Sequence, residues 1–161
     1  MPNWVRGDLK IRGTEDNIKK FLLENFIQND RQIYEDENNL ILFSSKGFQI
    51  KDTIENCILK VIHFNFALDE KIKEFEIKKI RALREIQPEL YIILSNKYDI
   101  DIEIDAVEYN SGFYQNIEIR NGEIIKNELL DYFTNDWGKK QSLRSDGEET
   151  IQDSIFLDMW L

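Results

Sequence analysis

The chain has 161 residues, enough for one compact domain with a single sizeable core. Hydrophobic residues make up 42% of it and only seven Gly and two Pro occur, a composition unlike that of a disordered polypeptide. It carries 31 acidic against 21 basic side chains, a formal net charge of −10, which repels nucleic acid and anionic membrane and attracts basic protein surfaces.

Cys57 is the single cysteine and His63 the single histidine. No internal disulfide can form, and no His/Cys set exists for zinc. The thiol is expected to be buried and inert beside Ile58 and Leu59, in a reducing compartment. No apolar run approaches the ~20 residues of a membrane span, and the polar opening MPNWVRGD lacks the shape of a signal peptide. A cytoplasmic protein is expected. Heavy use of Asn, Ile, Lys, Asp and Glu fits AT-rich codons, as in a low-GC bacterium or its phage.

In chain order, residues 5–12 alternate Val5, Leu9 and Ile11 against Arg6, Asp8, Lys10 and Arg12, the period of a half-buried strand. Gly13 and Thr14 open a helix. The Thr14 hydroxyl is a candidate N-cap, and Glu15 and Asp16 suit the positive helix end. Ile18, Phe21, Leu22, Phe26 and Ile27 recur at helical spacing and make its core face. Residues 29–39 are polar, a loop or weak edge segment. Short strands are expected at 40–43 and 48–51, and a longer apolar strand at 57–66.

Asp69 is placed to cap a helix over residues 70–86, with Ile72, Phe75, Ile80, Leu83 and Ile86 towards one side. Its Lys71, Lys73, Lys78, Lys79, Arg81 and Arg84 interleave with Glu70, Glu74, Glu76 and Glu85. That is the pattern of a solvated, self-paired face and not of a nucleic-acid contact. Pro88 suits the first turn of a further short helix over 90–96.

The next segment, YDIDIEIDAVEYN at residues 98–110, is the most uniform in the chain. Asp99, Asp101, Glu103 and Asp105 alternate with Ile100, Ile102, Ile104 and Ala106, which predicts one strand with a dry isoleucine face and a wet ladder of carboxylates. Same-face neighbours lie about 7 Å apart, two residues at roughly 3.4 Å each, close to the spacing of successive phosphates. A strand at 113–120 and the Asn121-Gly122 hairpin signal follow, leading into 123–126. A short helix is expected at 129–137, a polar linker at 138–149, and an apolar end with Phe156, Met159 and Trp160 that docks on the body. The element order predicts an α+β fold, a mainly antiparallel sheet with helices on one face. Residues 1–127 would form the domain and 128–161 a C-terminal extension packed on it.

The start Met1-Pro2-Asn3-Trp4, a strand ending in Gly13 and an amphipathic helix resemble the phage and plasmid accessory proteins of the YubB type. Asn96-Lys97-Tyr98-Asp99 is similar to that family's Thr-Lys-Trp-Asp stretch. Val5 stands where the family often has cysteine. The resemblance implies a ferredoxin-like fold and a mobile-element origin, and brings no activity with it. Trp4 reads as an aromatic plug at the end of the sheet.

His63 is too isolated for a nucleophilic triad, and no glycine-rich phosphate loop occurs. Asp101, Glu103 and Asp105 could bind Mg²⁺, but Glu123-Ile124-Ile125-Lys126 sets its Glu and Lys on opposite strand faces, unlike the Glu-x-Lys of metal-dependent nucleases. No cofactor, metal or direct nucleic-acid contact is expected. Two readings of the ladder remain. If the strand at 5–12 pairs with it, Arg6, Lys10 and Arg12 would neutralise an ordinary solvated face. Otherwise Asp99, Asp101, Glu103 and Asp105, with Glu108 and Glu118 nearby, form a site for a host protein with a basic surface. Size, charge and origin resemble the broad class of phage inhibitors of nucleic-acid-handling defence enzymes, anti-CRISPR proteins among them. The expected function is therefore a non-enzymatic inhibitor of such a nuclease, for example a CRISPR effector of the Cas9 kind. A metal-dependent nuclease or a housekeeping phage protein is the alternative.

Overall fold

The computed structural model describes residues 4–53, 55–82, 85–108 and 112–131. β1 (Val5–Gly13) leads into α1 (Glu15–Asn25), and Thr14 caps that helix by accepting the Asn17 N–H at 3.3 Å. Ile18, Phe21 and Leu22 of α1 are buried, as their spacing requires. Phe26 and Ile27 leave the helix as the two-residue β2 (Phe26–Ile27). β3 (Gln32–Glu35), β4 (Asn39–Phe43) and β5 (Phe48–Ile50) follow, β3 being exposed throughout, in the segment expected to be a loop or weak edge.

The apolar run expected as one strand at 57–66 is broken into β6 (Asn56–Cys57) and β7 (Val61–Asn65). β6 pairs with β5, whereas β7 pairs with β4 in another sheet, so the chain changes sheets at residues 58–60.

The helix expected over 70–86 is instead the long strand β8 (Lys73–Ala82). Phe75, Ile77, Ile80 and Ala82 point inwards, and a bulge accommodates Lys78 and Lys79 between Ile77 and Ile80. The extra residue puts two core isoleucines three apart, and that spacing imitates a helix. Lys79 has a φ of 61°, the left-handed geometry of such a bulge. α2 (Pro88–Tyr98) starts on the expected proline and ends on Asp99, which is its C-cap at φ 52°. β9 (Asp101–Glu108), β10 (Phe113–Arg120) and β11 (Glu123–Asp131) complete the described chain. Asn121 and Gly122 turn β10 into β11, both at positive φ. β11 includes Leu129–Asp131, the expected start of a helix; residues 132–161, with the expected linker and apolar end, lie outside the described residues.

The fold is α+β. One eight-stranded sheet has the order β11-β10-β9-β1-β8-β6-β5-β2 and a second has the order β3-β4-β7, every pairing being antiparallel. β8, α2 and β9 form a β-α-β unit whose two strands flank β1. The inner sheet face presents Leu9, Ile11, Ile77, Ile102, Ile104 and Ile117 to one core, into which both helices pack. Phe21 meets Tyr98 edge to face at 5.7 Å, joining the helices, and Phe64 of the small sheet meets Phe75 at 5.3 Å. No helix among the described residues is long and apolar enough to cross a membrane.

At Gly7 the backbone of β9 lies too close to β1 to leave space for a side chain. A β-carbon there would strike the Asp105 carbonyl oxygen and lie 2.8 Å from the Ala106 Cβ. At Gly13 the nearest atom is the γ2 methyl of Ile100 at 2.9 Å and the backbone lies at 3.5 Å or beyond, so a single side-chain contact and no backbone would have to give. Gly7→Ala is therefore expected to lower the unfolding free energy by about 1–3 kcal/mol, and Gly13→Ala by less, in urea denaturation. Equal losses would contradict the close approach.

Candidate functional site

The outer face of the large sheet carries the acids, and β1 does pair with the acidic strand. Opposed residues share a face, so charges fall into rows across β11, β10, β9, β1 and β8. Lys126, Glu118, Glu103, Lys10 and Glu76 form one row in register. Arg12 lies opposite Asp101 on one side and Glu74 on the other. A third row runs Glu128, Asn116, Asp105 and Asp8, ending at the bulged Lys78 and Lys79. A fourth holds Tyr114, Val107, Arg6 and Arg81, with the Trp4 ring 4.7 Å from the Arg81 guanidinium.

The expected ladder is thereby redistributed. Asp99 leaves it, because the chain turns left-handed there to end α2. Asp101 accepts the Asn121 N–H at 3.1 Å and so braces the β10–β11 hairpin, besides facing Arg12. Glu108 belongs to the inner face, between Val5 and Phe113 in register, and is only 1% exposed. The strand period explains this: Asp101, Glu103 and Asp105 are odd-numbered, and Glu108 is not. Glu118 stands opposite Glu103 on the outer face, held by Arg120 at 2.6 Å.

Two acids remain in the middle, Glu103 and Asp105, and β1 adds a third to which the sequence alone assigns no role, Asp8. Asp8 and Asp105 lie directly opposite each other. Asp105 accepts from the Tyr114 hydroxyl at 2.6 Å and from the Asn116 amide, both neutral donors. Asp8 accepts the Lys79 backbone N–H at 3.3 Å, which the bulge turns towards it. Burial pushes the Asp8 carboxyl above its ordinary value, and Glu76 and Asp105 add to this against the Lys79 bond and Lys78. Glu103 is likewise raised, by burial and then by Asp105, with Lys10 opposing. The signal for Asp8 is present in its alternation with Arg6 and Lys10, but its partner depends on the pairing register. A cleft in this face is lined by Lys10, Arg12, Asp101, Glu103, Glu118 and Arg120.

The remaining reactive groups lie elsewhere. Cys57 is buried and its thiol is pushed up to about 11 by that burial. His63 lies on the exposed side of β7, with its Nε2 2.7 Å from the Asn39 side-chain oxygen. Glu55 and Tyr91 are buried, and Glu55 Oε2 and the Tyr91 hydroxyl have no hydrogen-bond partner among the described residues. Burial, with Glu55 nearby, drives the Tyr91 hydroxyl well above its ordinary value. Among the described residues, no group of three or more His, Cys, Asp or Glu is arranged to hold a metal ion.

No protein-family model, curated protein or solved structure matches the chain.

Because Asp8 and Glu103 have folded values above their unfolded ones, each binds its proton more readily in the native state. Each adds stability below the ordinary carboxylate range, and that gain is lost as pH rises through the raised folded value. Asp8→Asn and Glu103→Gln are thus expected to be more stable than wild type at neutral pH. The advantage should vanish once wild type is protonated. Urea denaturation at a series of pH values checks this; variants no more stable than wild type at neutral pH would contradict it.

Proposed function

We propose that the chain is a non-enzymatic binding protein whose outer sheet face docks on a basic surface of a host protein. The observation that supports this is the cluster of Asp8, Asp105 and Glu103 at adjacent positions, with Asp8 and Glu103 each raised first by burial and to a lesser extent by Asp105. A solvated face built for solubility alone has no need to set Asp8 against Asp105, since like charges directly opposite destabilise a sheet. Lysine or arginine from a partner would relieve that repulsion, so the attraction is larger than two isolated acids would give.

The order β9-β1-β8-β6, with the β-α-β unit straddling β1, supports a ferredoxin-like core to which the outer strands and the small sheet are additions. We infer further that the partner is a nucleic-acid-handling nuclease of a bacterial defence system, and the chain a phage or mobile-element inhibitor of the anti-CRISPR type acting in the host cytoplasm. Carboxylates about 7 Å apart along β9 and the net charge of −10 support that reading, together with the resemblance at Met1–Trp4. Asp101 contributes less than the central acids, because it already accepts the Asn121 N–H of the hairpin and Arg12 stands opposite it in register. A metal-dependent nuclease has weaker support, the described acids being interleaved with bases and amides.

The test compares wild type with the triple variant Asp8→Asn/Glu103→Gln/Asp105→Asn for inhibition of DNA cleavage by a Cas9-like effector, at two salt concentrations. Wild type should inhibit, less strongly at high salt, and the triple variant at least tenfold less strongly. Asp8→Asn and Glu103→Gln are each expected to stabilise the fold, and urea denaturation of the triple variant separates a lost contact from unfolding. Undiminished inhibition by the variant would remove the face as the contact, and absence of inhibition by wild type would remove the nuclease.

A further inference from the structure

The two ends of the eight-stranded sheet are unlike. β2 closes one end with two residues, the short edge by which sheets commonly avoid unwanted pairing. β11 closes the other with nine, and Ile124, Ile125 and Leu129 on it are 43%, 58% and 51% exposed. Among the described residues no strand pairs with the outer side of β11, so it presents a row of backbone donors and acceptors beside exposed apolar side chains, the arrangement by which another strand is recruited.

The sequence of β11 fits a second copy of itself. In an antiparallel pair, opposed residues share a face, so a two-fold axis normal to the sheet must pass beside a residue that faces its own copy. Centred on Lys126 or Glu128, the axis sets like charges against each other. Centred on Asn127, it sets Lys126 opposite Glu128 twice, and both residues lie on the outer face. Leu129 of each copy then meets the exposed Ile124–Ile125 pair, where the strand bulges between Glu118/Lys126 and Ile119/Ile124. Past that bulge the register shifts by one residue, so Glu123 of each copy comes opposite Leu130 of the other and not opposite an acid. Within one chain Lys126 and Glu128 pair with each other at 3.8 Å with largely exposed side chains, a weak contact that exchange between copies can replace.

We propose that the protein forms a two-fold dimer through antiparallel pairing of β11 with β11 of a second copy, centred on Asn127. Independent of the docking reading, this pairing would join the two large sheets into one. Edge pairing of this length is a small interface, so association should depend on concentration over the micromolar range.

Sedimentation velocity on the full chain at a series of concentrations tests this, using wild type, Lys126→Glu, Glu128→Lys and an equimolar mixture of the two variants. Wild type should shift from monomer to dimer. Each variant alone sets like charges across the axis and should associate at least about tenfold more weakly. Their mixture restores two opposite-charge pairs and should recover the dimer, which also shows that both variants remain folded. Wild type that stays monomeric throughout, variants that dimerise as wild type does, or a mixture that fails to recover would each overturn the proposal.

Discussion

The position of β1 between β8 and β9, antiparallel to both, governs the rest of the structure. It brings Gly7 against Ala106, which lets the two backbones close up. It sets Lys10 between Glu76 and Glu103, and Arg12 between Glu74 and Asp101. Each of those cross-strand pairs contributes only about 0.2–1 kcal/mol. Burial of Val5, Leu9 and Ile11 on the opposite side contributes more, roughly 1.5–3 kcal/mol for each side chain. The apolar side therefore decides the register and the charges follow from it. A one-residue slip would send the isoleucines outwards and the acids into the core.

That ordering of forces explains why the outer face is neither a bare acidic ladder nor a fully paired lattice. Where β1 offers Arg12, Asp101 is matched, and Lys10 offsets Glu103 only in part against Asp105 and Glu118. Where the hydrophobic register happens to offer Asp8, Asp105 is not matched, and the bulge in β8 supplies a backbone N–H to an acid that has acid neighbours. The matched part of the face resembles any solvated sheet. The unmatched part holds electrostatic energy that a cationic partner can release, and a small cluster of this kind gives more specificity than a uniform stripe because its place on the sheet is fixed.

Much of this is legible in the residues. Period-two alternation locates β1, β9 and β10, Thr14 and Pro88 mark the two helix starts, and Asn121-Gly122 marks the hairpin. The residues mislead where local spacing is ambiguous or where the answer lies in another strand. The bulge at Lys78–Lys79 makes a strand look helical, and the apolar run after Cys57 gives no sign of dividing between sheets. Asp99 and Glu108 lie at the two ends of the acidic segment, where the chain leaves strand geometry or the odd-even phase turns inwards. Asp8 cannot be placed in the acid cluster from its own neighbours, because opposition to Asp105 is a property of register.

Sheet geometry also ties the acidic face to the open edge. β9 and β11 are separated by β10 alone, so pairing of β11 with its copy would place the two β9 strands five spacings apart, roughly 24 Å at ~4.8 Å each before twist. An axis normal to the sheet keeps both outer faces on one side. The two clusters of Asp8, Glu103 and Asp105 would then face the same way, separated by a band that includes Lys126 and Glu128 from each copy. A partner with two basic patches at that separation could engage both clusters, and the second contact would form at high effective concentration once the first was made. The long apolar edge and the unmatched acids, each unfavourable in an isolated chain, would thus be satisfied in one assembly by different partners.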